Sequence, residues 1–168
     1  MEKLMEAKLI VLRLFLDSMG IPASIDTVDD RKRVQKAVYL AQVAGADLGY
    51  RFSWYLMGPY SKSLTEDYYA MDEKSVEIAA ATQGRKLHET YQRLLSKVRE
   101  DIRKPSAVLL GEEQWLELLA SYHYLRRVSR LSHKDAAAQI EKQKAPLFPW
   151  LQHATGAIQN SEALRIPG

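Results

Sequence analysis

Apolar residues recur at helical spacing along most of this chain and alternate at strand spacing over one short run. Leu4, Leu9, Leu12, Leu16 and Met19, widened by Val11 and Phe15, predict a first helix over 3–19, ended by Gly20 and Pro22. Because it is apolar over most of its girth, this helix is expected at the centre of the core. Val34, Ala37, Val38 and Ala41 predict a second helix, capped by Asp29 or Asp30 and closed by Gly45. Tyr50, Phe52, Trp54 and Leu56 then alternate, as in a strand, and Gly58-Pro59 reads as a turn. Ser61 or Ser63 caps the next helix, with Ser63 and Glu66 at capping-box spacing and Leu64, Tyr68 and Met71 as its buried stripe. Ser75–Ala79 reads as a short second strand paired with the first.

The second half is helical throughout. Leu87, Tyr91, Leu94, Leu95, Val98 and Ile102 predict a helix over 85–104, stopped by Pro105. Trp115, Leu118, Leu119, Tyr122 and Leu125 form an amphipathic stripe over 111–131. Ser132 with Asp135 caps a short helix, Pro146 and Pro149 bracket Leu147-Phe148, and a last helix runs to about 160, leaving 161–168 as a frayed tail. The fold class is therefore mainly α: a helical domain with a small β-hairpin, a winged-helix-like N-terminal part over 1–80 and a helical part over 84–160. The whole chain, 1–168, forms a single domain.

Composition narrows the possible chemistry. Hydrophobic residues at 46% and charged residues at 27% describe an ordinary globular chain. There is no cysteine, which excludes disulfides, thiolate nucleophiles and cysteine-bound metal clusters. The apolar run 9–16 is broken by Arg13 and is too short for a membrane span or a signal peptide, so a cytoplasmic location is expected. The net charge of +3 is unevenly spread. Residues 1–84 hold 10 Lys and Arg against 12 Asp and Glu, whereas residues 85–144 hold 13 against 8. A basic half can attract nucleic acid or an acidic protein, and it can equally be a set of solvated helix faces.

No catalytic set is legible. His88-Glu89-Thr90-Tyr91 begins like a zinc-protease helix, but Gln92 stands where the second ligand is needed. There is no glycine-rich phosphate loop, and the acid pairs Asp29-Asp30 and Glu112-Glu113 sit where helix caps belong. No cofactor, no metal and no enzymatic activity are expected. A deep polar pocket with shifted ionisable groups would speak for an enzyme.

Two stretches carry a family resemblance. Val34-Gln35-Lys36 and Tyr39 on the second helix are followed by Trp54, then by Gly58, Pro59, Tyr60, Ser61 and Leu64. Trp115-Leu-Glu-Leu-Leu-Ala-Ser fits a later helix of the same pattern. This resembles the YwgA-like proteins and, more distantly, the Panacea (SocA-like) antitoxin domain, over 30–72 and more loosely over 110–131. The Tyr60-Ser61 ending is that of the YwgA-like turn. The resemblance implies a module that neutralises or regulates a partner protein.

The expected function is thus binding of another macromolecule, most simply a protein partner of toxin or regulatory type. Tyr55 and Tyr60 are the candidate aromatic anchors, with Arg31, Arg33 and Lys36 as the charged contacts beside them. The alternative is a winged-helix-like DNA-binding regulator. Glu66, Asp67 and Asp72 on the helix after Gly58-Pro59 oppose phosphate, so a nucleic-acid role falls on Arg31–Lys36 or on Arg126, Arg127 and Arg130.

Overall fold

A computed structural model describes residues 2–167. Among them are eight α-helices and one two-stranded antiparallel hairpin, so the mainly helical class with a small hairpin is the observed one. The first helix, α1, spans Glu2–Met19, and α2 spans Val28–Val43. The cap of α2 is Thr27 and not either aspartate. Its hydroxyl accepts the Asp30 N–H at 3.0 Å while the Asp30 carboxylate accepts the Thr27 N–H at 3.2 Å, so Asp30 serves as the return partner of a capping box.

The hairpin differs from the expected one. Strand β1 is Ser53–Tyr55 and β2 is Gly58–Tyr60, with Trp54 opposite Pro59. Gly58-Pro59 therefore belongs to a strand, and the turn is Leu56-Met57. Residues 75–79, read above as the second strand, lie in a helix. Helix α3 covers Lys62–Glu73 behind an Ser61 cap, and α4 covers Ser75–Thr82. The run Ala79-Ala80-Ala81 continues the helix, and Ile78 is its fully buried residue, so period-two burial never develops.

Helix α5 runs Glu89–Asp101, shorter than its apolar stripe, with His88 as cap. Helix α6 runs Glu112–Arg127, α7 runs His133–Gln143, and α8 runs Leu151–Asn160 after a 3-10 turn at Phe148–Trp150. The Ser132 side chain caps α7 at the Asp135 N–H, as its spacing implies.

The centre of the core is α6, not α1. Every residue from Trp115 to Leu125 is buried, whereas α1 leaves Leu4, Met5 and Val11 exposed. Helix α2 packs along one side of α6, with α7 and α8 on others, while α1 lies against α3, α4 and α5. Trp115 is fully buried and its indole N–H donates to the Ile102 carbonyl at 2.9 Å, which ties α6 to the end of α5. The segment after α8 is not frayed. Ser161, Leu164 and Ile166 are buried, and the Gln159 amide brackets Ile166, accepting its N–H at 2.9 Å and donating to its carbonyl at 3.2 Å. Gly168 lies outside the described residues.

Candidate functional site

Helix α2 carries polar side chains on a buried face, and they determine where the hairpin sits. Gln35 accepts the Ser61 N–H and donates to the Ser61 carbonyl, both at 2.9 Å. About two turns further on, Gln42 does the same for Tyr50, at 3.0 and 2.9 Å. Each amide thus stands in for the neighbouring strand that the 48–61 segment lacks, which satisfies backbone groups that burial would otherwise orphan. Between them Lys36, 2% exposed, donates from Nζ to the Pro59 carbonyl at 2.6 Å.

A second buried cation reaches the hairpin from the other side. Lys144, just past α7, donates to the Leu56 carbonyl at 3.2 Å and to Glu117 Oε2 at 2.8 Å, and lies 5.6 Å from the Trp54 ring centroid. The other carboxylate oxygen of Glu117 pairs with Lys32 Nζ at 2.9 Å. The hairpin is therefore fastened by Lys36 and Lys144 through its carbonyls and by Gln35 through the residue after it.

Above this network lies a groove of about 260 Å³ between the first turns of α2, the hairpin tip and α3. Its lining includes Arg31, Lys32, Lys36, Tyr55, Tyr60 and Tyr68, along with Leu56 and Met57. The tip is exposed: Tyr55 by 58%, Leu56 by 81% and Met57 by 45%. The Tyr55 ring rests on that of Tyr60 with centroids 5.5 Å apart, and the Tyr60 hydroxyl is 2.7 Å from Thr65 Oγ1.

Two ionisable groups of the lining are shifted. Burial pushes the Lys36 ammonium down to about 7, with Glu117 pulling it back and Lys144 and Lys32 adding to the fall. Burial raises the Tyr68 hydroxyl. A further shifted group lies away from the groove: His123 is lowered to about 4, first by burial and then by Arg127, and its Nδ1 is 2.9 Å from the Tyr39 hydroxyl.

Four of the five residues proposed from sequence for partner binding, Arg31, Lys36, Tyr55 and Tyr60, meet at this groove. Arg33 does not line it; its guanidinium lies 3.7 Å from Asp30 and its Nε is buried without a partner. Lys36 also differs from the expected exposed charge, being enclosed beneath the groove. Arg126, Arg127 and Arg130 gather elsewhere, around a depression at the C-terminal end of α6 shared with Ile166 and Pro167. Arg126 is fixed there by the Leu131 carbonyl at 3.1 Å and the Tyr122 hydroxyl at 2.8 Å. Sequence reading missed Glu117 and Lys144. Glu117 did leave a signal, a lone acid inside the apolar run 115–120, whereas Lys144 left none.

Among the described residues no cluster of three or more His, Asp or Glu is placed to hold a metal, and no helix is long and apolar enough to cross a membrane. No family model, no curated protein and no solved structure matches this chain.

Proposed function

We propose that this chain is a non-catalytic macromolecule-binding protein, a protein-partner module of antitoxin or regulatory type, and that the hairpin groove meets the partner. One observation carries the reading: three consecutive large side chains, Tyr55, Leu56 and Met57, stand exposed on a tip whose backbone is fastened from behind. A contiguous apolar patch held rigidly loses little entropy on docking, which is how aromatic and aliphatic anchors work at interfaces. The resemblance of residues 30–72 to YwgA-like and Panacea patterns supports the same reading. A cytoplasmic location is part of it.

The test is co-expression with the product of the adjacent gene, followed by size-exclusion chromatography. The wild-type chain is expected to co-elute with it, and the double variant Leu56→Ser, Met57→Ser to elute alone with its helical circular dichroism intact. Absence of a complex, or a complex indifferent to the tip, counts against the reading.

A second reading, nucleic-acid binding, rests on the convergence of Arg126, Arg127 and Arg130 at one depression. It requires a duplex-DNA shift that weakens steeply with salt and disappears when Arg127 and Arg130 become glutamine. Binding that is absent or insensitive to salt removes it.

A further inference from the structure

The charges beneath the groove do not balance. Both oxygens of Glu117 are already engaged, by Lys32 at 2.9 Å and by Lys144 at 2.8 Å. Lys36 has a neutral carbonyl as its partner, and the Arg31 guanidinium likewise donates to a carbonyl, that of Ile25, at 2.9 Å. Four basic side chains thus line or underlie the groove with a single carboxylate among them, and no acid is found in the lining among the described residues. Removing an ammonium from water is costly unless a carboxylate compensates it. The rim offers the opposite chemistry, bare apolar surface at the hairpin tip.

We propose that the groove takes an acidic, apolar segment of a partner protein, a large side chain of which lies on Leu56 and Met57 while a neighbouring carboxylate meets Arg31, above the enclosed ammonium groups. This rests on the groove being the partner site. A basic segment would face a cationic floor, and a purely apolar one would leave the floor uncompensated and cut off from water. An acidic one adds the negative charge the cluster lacks. Phosphate of a duplex fits less well, because the tip puts apolar side chains where the backbone would lie.

The test uses a phage library of short random peptides panned on the full chain, with counter-selection on Leu56→Ser, a change at an exposed position that leaves the core untouched. Enriched sequences are expected to place Asp or Glu within about four positions of Leu, Met, Phe, Tyr or Trp. The best of them, synthesised with a fluorophore, should lose about tenfold in affinity with Arg31→Gln and about tenfold with Leu56→Ser, and weaken as salt is raised. Basic or uncharged winners, or an affinity indifferent to Arg31→Gln, overturn the acidic preference while leaving the groove as a partner site. No enrichment, or winners that bind Leu56→Ser equally well, overturn the inference outright. The co-elution experiment with the tip variant then decides separately whether the groove meets a partner at all.

Discussion

Lys36 is the residue at which stability and the candidate site meet. A lysine with its ammonium lowered from 10.5 to about 7 releases its proton more readily in the folded chain than in the unfolded one. Between those two values the unfolded chain holds more protons, so stability climbs with pH from about 7 toward 10.5, and the whole penalty is present below 7. The wild-type chain is expected to melt at a higher temperature at pH 9 than at pH 7, and Lys36→Met to flatten that rise. The substitution also orphans the Pro59 carbonyl, a loss of about 1–3 kcal/mol, so absolute stability is a poor readout and the slope is the useful one. Equal slopes for the two proteins would refute the assignment. His123 acts in a different window: lowered to about 4, it makes stability climb from about 4 to 6.5, well separated from the effect of Lys36.

At the scale of elements, the hairpin shows what could and could not be read from residue order. The longer helices were legible because their apolar stripes run for several turns, whereas the eight-residue α4, with Ile78 its one buried position, read as a strand; the Ser132 cap was legible because capping chemistry is local. Of the hairpin only the first strand was, since the strands are three residues each and the turn lacks the asparagine-glycine or leading-glycine signals of tight primed turns. Leu56 and Met57 both keep negative φ; the positive angle falls on Gly58, at 92°. That shift of conformational demand onto the following glycine lets two large apolar residues occupy the tip. The groove itself was half legible. Tyr55, Tyr60, Arg31 and Lys36 are near neighbours on two segments, whereas Glu117 and Lys144 come from far along the chain, Lys144 reaching Leu56 across 88 positions. A Cβ on Gly58 would collide with Ser121 Oγ, which is buried without a hydrogen-bond partner. Gly58→Ala should therefore cost about 2 kcal/mol or more in urea denaturation, part from the backbone angle and part from this collision. Ser121→Ala alone should be nearly neutral, since it removes an unpaired hydroxyl. Combined with Gly58→Ala it should recover the collision but not the angle. Strict additivity of the two substitutions would show that Ser121 is not what the new methyl meets.

For the whole molecule, the two parts expected from sequence, 1–80 and 84–160, join on α6, and the buried charges lie at that junction. Lys32 and Lys36 come from the first part and Glu117 and Lys144 from the second, so the surplus positive charge at the junction is supplied by α2, since Glu117 and Lys144 cancel. Glu117 is the carboxylate that makes this arrangement tolerable. Glu117→Gln would leave its lysine partners without a counter-charge inside the fold, a loss on the order of 3 kcal/mol. The loss should also depend on pH in a definite direction. At pH 6 Lys36 is charged in both states and bears the full absence of Glu117, whereas at pH 9 it is already largely neutral in the folded chain, so less is lost. Urea denaturation of the two proteins at both pH values checks this: the gap between them should be wider at pH 6. Because Lys144 also holds the Leu56 carbonyl, the same substitution should loosen the tip and raise amide exchange in 55–58. An equal gap at both pH values would mean that Lys36 does not sense Glu117. The charge imbalance beneath the groove would then be no more than the sum of separate pairs, and the case for an acidic partner would lose its electrostatic basis.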